Sequence, residues 1–202
     1  MNICIFGASI THGEYDPENG GWSSLLQKHL YASGYDITIY NLGISGNTTE
    51  DLLRRIDNET SARKPTIIIV SIGNNDSAVS KKLGGLWVPH EKFASNIQDI
   101  SNIAHKYTSS VVFTGLAIMD DTKTNPYPED PDKTYTDKRG LEYSKIIEAV
   151  CERNQTTYLP LHDVLSKSDL YDGLHPNTVG HEKIFKAVLP VVEKLISESL
   201  AN

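Results

Sequence analysis

The chain has 202 residues, of which 39% are hydrophobic and 22% are charged, and its formal net charge is −7. This length suits one substantial core and is short for two separate ones, so we predict a single domain over residues 1–202. The excess of acidic side chains repels phosphate groups, which argues against nucleic acid or an anionic membrane surface as a partner. The composition also excludes a disordered or collagen-like chain.

The cysteines and the amino terminus bear on the cellular compartment. Only two cysteines occur, Cys4 and Cys151, too few for a disulfide framework or a four-cysteine zinc site. The first apolar segment, residues 3–6, has no basic stretch before it and is too short for a signal peptide or a membrane span. We therefore expect a cytoplasmic protein with no stable membrane association.

Short runs rich in β-branched residues recur along the chain, and each predicts a buried strand. The run at residues 66–72 is apolar nearly throughout, which indicates a strand covered on both of its faces. The five runs cover residues 3–6, 37–41, 66–72, 111–114 and 156–159.

Segments with a helical spacing of apolar residues lie between these runs. Apolar residues recur every three or four positions at Trp22, Leu26 and Leu30, at Phe93, Ile97, Ile100 and Ala104, and at Ile184, Val188, Val191 and Leu195. Strands that alternate with helices are typical of a parallel sheet between two helical layers. We predict an α/β fold, a three-layer α/β/α sandwich with about five parallel strands.

One segment departs from this alternation. Residues 119–139 are rich in Asp, Thr, Pro and Tyr, and this polar segment is longer than most connections in α/β folds. Two interpretations are open: a loop that faces a ligand, or a solvated insertion at the surface. Ligand sites of open α/β sheets lie outside the carboxyl ends of the strands, so we look for chemistry there.

A serine follows the first predicted strand. The sequence Gly7-Ala8-Ser9-Ile10 places Ser9 on a turn between small residues, where a carbonyl compound can approach its hydroxyl group. The same kind of turn also binds phosphates or caps helices. Taken alone, Ser9 is therefore one candidate nucleophile among several uses of such a turn.

The second and third predicted strands also end in polar turns. Gly43 lies after the second strand, and its N–H group is a candidate hydrogen-bond donor toward the same crevice. Asn75, within Gly73-Asn74-Asn75-Asp76, offers a side-chain amide as a donor to a developing oxyanion. Because Asn and Gly are ordinary turn residues, each turn is weak evidence by itself.

An acid precedes a histidine by three positions in Asp172-Gly173-Leu174-His175-Pro176. On a bent loop this spacing lets the Asp172 carboxylate accept a hydrogen bond from one imidazole nitrogen, while the other nitrogen faces the crevice. The alternative is a plain turn before the last helix, with His175 at the surface.

In chain order, the four sequence motifs described above resemble those of the SGNH (GDSL-type) serine hydrolases, and the resemblance spans nearly the whole chain. The motifs are Gly7-Ala8-Ser9, Gly43, Gly73-Asn74-Asn75-Asp76 and Asp172-Gly173-Leu174-His175-Pro176. The resemblance implies a flavodoxin-like fold and ester hydrolysis, with Ser9 as nucleophile, His175 as base and Asp172 as the partner of His175. It also implies an oxyanion hole formed by the N–H groups of Ser9 and Gly43 and by the Asn75 amide.

The block around Ser9 departs from the family pattern at one position. Ala8 stands where the family has an aspartate. In the family that aspartate is not the nucleophile, the base, the partner of the base or an oxyanion donor. We expect the change to affect the local turn and substrate preference rather than the type of reaction. The expected chemistry requires no metal and no organic cofactor, and the other histidines show no metal-ligand spacing.

We therefore predict a serine esterase for small-molecule or sugar esters of short acyl chains. Thioesterases and lysophospholipases share the same four roles, so the motifs do not choose among these activities. An alternative from another class is a noncatalytic flavodoxin-like module that binds a phosphate or nucleotide at the same turns. The pair of Asp172 and His175 disfavours that alternative.

Overall fold

A parallel five-stranded sheet lies at the centre of the computed structural model, which describes residues 1–201. Residue 202, the end of the predicted domain, lies outside the described residues. In chain order the helices and strands are β1 (Asn2–Gly7), α1 (Ser9–His12), α2 (Gly21–Ala32), β2 (Thr38–Gly43), α3 (Thr49–Leu53), α4 (Ile56–Arg63), β3 (Ile67–Ser71), β4 (Val79–Ser80), β5 (Gly85–Leu86), α5 (His90–His105), β6 (Ser110–Thr114), α6 (Asp121–Thr124), β7 (Lys133–Thr134), α7 (Asp137–Asn154), β8 (Thr157–Leu159) and α8 (Thr178–Leu200).

The strand order explains where the sheet offers a site. The order is β2-β1-β3-β6-β8, and all neighbouring strands are parallel. This is the flavodoxin-like order, in which the direction of winding reverses between β1 and β3 and opens a crevice at their carboxyl ends. The predicted three-layer fold and its five strands are confirmed, with strand ends shifted by one or two residues. The prediction that each strand is buried is wrong for β2 and β8, which lie at the edges of the sheet and are half-buried or exposed.

Alternate residues of each central strand pack into opposite helical layers. In β1, Ile3 and Ile5 contact the layer of α2 and α8, whereas Cys4 and Phe6 contact the layer of α3, α4, α5 and α7. All four side chains are fully buried. Burying an aliphatic or aromatic side chain stabilises the fold by about 1.5–3 kcal/mol, which explains why these strands carry almost no polar residues.

The predicted helical faces are confirmed for α2 and α5 and need one correction in α8. The residues predicted to be buried in α2 and α5 have no exposed surface. In α8 the buried residues after Val188 are Val192 and Ile196, while Val191 and Leu195 are only half-buried. The buried stripe continues at a spacing of four residues, so the predicted positions lie beside it.

Residues 119–139 are folded rather than irregular. They contain α6 and β7, and β7 joins β4 and β5 in a second, three-stranded antiparallel sheet. Strands of two residues carry no detectable period, so the sequence did not predict this sheet. Within the segment Tyr127 and Tyr135 are buried, which anchors it to the rest of the fold.

No helix within residues 1–201 combines the length and the apolar character needed to cross a membrane.

Candidate active site

Ser9 is the first residue of the short helix α1, and one residue, Ala8, separates it from the end of β1. The turn between the two is tight: a Cβ atom on Gly7 would lie 2.0 Å from Thr11 Oγ1. The carbonyl of Ala8 accepts the N–H group of His12 at 2.9 Å, which closes the single helical turn. Small residues at positions 7 and 8 therefore bring the Ser9 side chain to the carboxyl edge of the sheet.

The structure joins Ser9, His175 and Asp172 in one series of hydrogen bonds. Ser9 Oγ lies 2.8 Å from His175 Nε2, and His175 Nδ1 lies 2.7 Å from Asp172 Oδ2. A proton on Nδ1 is donated to the carboxylate, which leaves Nε2 as the acceptor of the serine hydroxyl. His175 is buried, so this orientation is held away from bulk water.

Local backbone donors hold Asp172 in place. Its Oδ1 accepts the N–H groups of Leu174 at 2.9 Å and His175 at 2.7 Å. Burial by itself raises the pKa of Asp172, but the hydrogen bonds and charge of His175 and these backbone donors outweigh it and hold the pKa below its usual range. Asp172 therefore remains an acceptor-only carboxylate.

Tyr127, a residue of the polar segment 119–139, joins this hydrogen-bond network. Its hydroxyl donates to Asp172 Oδ2 at 2.8 Å and lies 3.1 Å from Glu129 Oε2. Burial and then the hydrogen bond to Asp172 raise the pKa of Tyr127 far above its usual value, so it remains a donor. The only signal in the sequence was an aromatic residue inside a polar segment.

The side-chain amide of Asn75 is oriented by a partner at each of its ends. Its Nδ2 donates to the carbonyl of Asn47 at 3.0 Å, and its Oδ1 accepts the Tyr135 hydroxyl at 3.3 Å. These two contacts assign the nitrogen and oxygen positions, and they leave the second N–H of Nδ2 for another acceptor. The pocket that contains Ser9 also contacts Asn75.

The prediction that Gly43 offers its N–H group to this pocket is corrected by the structure. Gly43 ends β2, and its N–H donates to Asn41 Oδ1 at 3.0 Å. A Cβ atom at Gly43 would lie 2.4 Å from the nitrogen of His12, so glycine is needed there to let α1 pack against the strand. Gly43 therefore has a packing role and its N–H group is already engaged.

Gly46, three residues later, lines the pocket instead. It adopts a left-handed backbone conformation with φ of 79°, in a turn closed by the hydrogen bond from Asn47 N–H to the carbonyl of Ile44. A turn of this kind favours glycine. The sequence showed two glycines in one turn, and only the backbone path distinguishes them.

Asp76, the last residue of the Asn75 turn, is buried and has a structural role. It accepts hydrogen bonds from the N–H group of Thr49 at 3.0 Å and from the Thr49 hydroxyl, which ties the start of α3 to the loop after β3. Burial raises the pKa of Asp76 to about 6. The contact holds the loop of Gly46 beside the loop of Asn75.

The side chains of Ser9 and His175 line a small pocket of about 140 Å³. No group of three or more His, Cys, Asp or Glu side chains in the described chain is arranged to hold a metal ion. Polar and charged side chains dominate the pocket, which is lined by Ser9, Glu14, Gly46, Asn75, Tyr127, Glu129, Asp130, Lys133, Tyr135, Leu174 and His175.

A parallel sheet of this order, with serine, histidine and aspartate joined at its carboxyl edge, is the arrangement of a hydrolase. The chain belongs to the GDSL-like Lipase/Acylhydrolase family, whose model matches residues 5–183. It is a carboxylic ester hydrolase, and the noncatalytic module considered above is not supported.

Relatives of known name agree with this class. Esterase TesA of Pseudomonas aeruginosa is 24% identical, in an alignment that covers 97% of this chain and 90% of that protein. The arylesterase of Vibrio mimicus is 26% identical, over 86% of this chain and 79% of that protein. The crystal structure of the lipase/acylhydrolase from Enterococcus faecalis has a TM-score of 0.75 at 26% identity, covering 96% of this chain and 95% of that chain.

Proposed function

We propose that the chain hydrolyses carboxylic esters of short acyl chains through a covalent acyl-enzyme formed on Ser9. The observation that carries the proposal is the series of hydrogen bonds at 2.8 Å and 2.7 Å that joins Ser9 Oγ, His175 and Asp172. At this distance His175 Nε2 is within reach of the serine proton before any substrate arrives.

The first half of the reaction forms the acyl-enzyme. His175 Nε2 takes the proton of Ser9 as Oγ attacks the carbonyl carbon of the ester, and the carbonyl oxygen becomes an oxyanion. Asp172 stabilises the imidazolium through the Nδ1 hydrogen bond. The Nε2 proton then passes to the oxygen of the leaving alcohol as the ester C–O bond breaks.

The second half releases the acid. His175 Nε2 takes a proton from a water molecule, the water oxygen attacks the acyl carbon, and the bond to Ser9 Oγ breaks as Oγ regains a proton. Each half passes through a charged tetrahedral species. The roles of His175 as base and then as acid are the same in both halves.

The oxyanion requires donors that point at it before the reaction begins. Three candidates surround the pocket: the backbone N–H of Ser9, the free N–H of the Asn75 amide, and the backbone N–H of Gly46 in place of Gly43. Removing one such donor costs about 2.7–4 kcal/mol of transition-state stabilisation. The hydrogen bonds of Asn75 to Asn47 and Tyr135 support this role because they fix its amide in advance.

The size of the pocket supports short acyl chains. Its volume of about 140 Å³ is well below the several hundred Å³ of pockets that enclose larger ligands. Its lining includes the charged side chains of Glu14, Glu129 and Asp130, which do not favour a long apolar chain.

Covalent labelling tests the proposal. A fluorophosphonate should add one label to the wild-type protein, at Ser9, and Ser9→Ala should remove both the label and at least about 10³-fold of the turnover of p-nitrophenyl acetate. Ser61→Ala, an exposed serine of α4, is the matched control and should react like the wild type. Full turnover by a folded Ser9→Ala protein would overturn the proposal.

A further inference from the structure

Glu14 places a second carboxylate beside the catalytic histidine. Its Oε2 lies 3.6 Å from His175 Nε2, the same nitrogen that contacts Ser9 Oγ. The hydroxyl of Ser45 donates to the other oxygen, Oε1, and the backbone N–H of Glu14 donates to the carbonyl of Ser9 at 3.1 Å. The carboxylate is thus held at the pocket, with about one third of the side chain exposed. The proposed mechanism gives it no role.

The position of Glu14 relates it to the alcohol part of a substrate. The oxygen of the leaving alcohol must come within about 3 Å of His175 Nε2 to take its proton. Because Glu14 Oε2 is 3.6 Å from that nitrogen, the alcohol oxygen lies at most about 7 Å from the carboxylate. A substituent one or two carbons beyond the ester oxygen spans that separation.

The other charged side chains of the pocket are engaged with partners of their own. Lys133 pairs with Asp130 at 3.3 Å, and its ammonium lies 4.6 Å from the centre of the Trp87 ring. The Glu129 carboxylate accepts a hydrogen bond from the hydroxyl group of Tyr15, and its other oxygen lies 3.1 Å from the Tyr127 hydroxyl. The ammonium of Lys133, the lysine that lines the pocket, is thus paired with Asp130. Glu14 therefore presents a negative charge to the alcohol part of a bound ester.

We propose that Glu14 recognises the alcohol part of the substrate by accepting a hydrogen bond from a group carried next to the ester oxygen. This inference rests on the proposed function. The group is a hydroxyl or an ammonium, so the favoured substrates are monoesters of polyols or amino alcohols rather than esters of plain alkyl alcohols. A hydrogen bond to a carboxylate is stronger than one between neutral groups, and an ester without the donor leaves that bond unformed.

A set of acetates with matched alcohols tests the inference. The substrates are 2-hydroxyethyl acetate, 2-(dimethylamino)ethyl acetate, which is protonated at about pH 7, and 2-methoxyethyl acetate, which has no donor. In the wild type we expect kcat/KM for at least one donor ester to exceed that of the methoxy ester about tenfold. The two donor esters distinguish a hydroxyl from an ammonium as the recognised group.

Variants of Glu14 test whether its carboxylate causes the preference for donor esters over the methoxy ester. Glu14→Ala should bring the donor-to-methoxy ratio to within about twofold of one. Glu14→Gln keeps the shape and removes the charge, so it should abolish a preference for the ammonium ester even where truncation impairs folding. Glu152→Gln, an exposed acid of α7, matches the change in net charge and should keep the wild-type ratio.

The two kcat/KM values of each ratio are measured on the same protein preparation. A partial loss of folded enzyme lowers both values equally and leaves the ratio unchanged. An unchanged ratio in Glu14→Ala and Glu14→Gln, with esters still hydrolysed, would overturn this inference alone. A wild-type ratio near one would do the same. Failure of the wild type to hydrolyse any of the acetates or p-nitrophenyl acetate would overturn the proposed function and this inference with it.

Discussion

The hydroxyl of Tyr127 donates a hydrogen bond at 2.8 Å to Asp172 Oδ2, the oxygen that also accepts from His175 Nδ1. Tyr127 lies in the polar segment 119–139, and Asp172 lies in the loop before α8. The contact therefore links the polar segment to the hydrogen-bond network of Ser9, His175 and Asp172. Since Tyr127 is buried, water does not readily replace its hydroxyl as a donor.

Tyr127→Phe should lower kcat about tenfold, because a hydrogen bond to a charged group contributes about 1.5–3 kcal/mol and the Asp172 carboxylate loses one of its donors. Steady-state kinetics with p-nitrophenyl acetate measure the effect, and KM should change less than kcat. Tyr107→Phe removes a similar tyrosine–aspartate hydrogen bond, to Asp57, outside the site and should keep the wild-type kcat. A kcat within twofold of the wild type in Tyr127→Phe would show that the contact does not orient Asp172.

Asp172→Asn should lower kcat by about 10⁴-fold, because an amide does not stabilise the imidazolium and favours the wrong tautomer of His175. Steady-state kinetics with p-nitrophenyl acetate measure this effect.

Asp172 also bears on the expected pH dependence of kcat/KM. Hydrogen bonds hold the pKa of Asp172 below its usual range, so Asp172 adds no protonation step of its own to the acid side of the profile. We expect log(kcat/KM) to fall with a slope of about one as pH decreases, and a slope of two would contradict this assignment.

Asn75→Ala should lose about 10²–10³ in kcat if its amide donates to the oxyanion. The measurement is kcat and KM on one ester, with Asn102→Ala, an exposed amide on α5, as the control of equal truncation. A rise in KM with an unchanged kcat would assign Asn75 to binding of the ground state instead.

The pocket volume of about 140 Å³ predicts a preference for short acyl chains. Across p-nitrophenyl esters from acetate to palmitate, kcat/KM should be greatest between acetyl and butyryl and should not increase when the substrate forms micelles. A maximum at chains of about ten carbons or more, with activation at the interface, would refute the preference for short chains.

Acid stability should depend on Asp169, whose carboxylate accepts from Lys183 Nζ at 2.7 Å and from Ser166. The hydrogen bond from Lys183 is the largest effect, and the pKa of Asp169 is lowered to about 2. A carboxyl with a lowered pKa stabilises the folded state above its unfolded pKa of about 3.9, and this contribution is lost as the pH falls toward 2.

Thermal unfolding between pH 6 and pH 2 therefore compares wild type with Asp169→Asn. We expect the variant to be less stable at pH 6 and the difference in Tm to shrink below about pH 4. Glu182→Gln, which breaks an exposed pair with Lys186, should give a small and nearly constant difference. A difference for Asp169→Asn that is independent of pH would exclude the ion pair as its cause.

Much of the fold and the central series of the site follow from local patterns in the sequence. Five strands are visible as runs rich in β-branched residues, and the three central strands are apolar because helices cover both of their faces. The strand order then places Ser9 at the crevice. The pair of Asp172 and His175 is equally local, since one carboxylate accepts from the backbone and side chain of a residue three positions later. Short-range spacing is enough to specify such contacts.

Only the tertiary structure decided which of two glycines near the end of β2 lines the pocket. It also decided which residues surround the hydrogen-bond network of Ser9, His175 and Asp172. Gly43 ends β2 and Gly46 lies in the turn that follows. The backbone path engages the N–H group of Gly43 with Asn41 and places Gly46 at the pocket. Tyr127 reaches Asp172 across 45 residues of sequence, and Glu14 approaches His175 from the opposite end of the chain. These two contacts leave no period or motif in the sequence, because they depend on how the loops fold over the sheet.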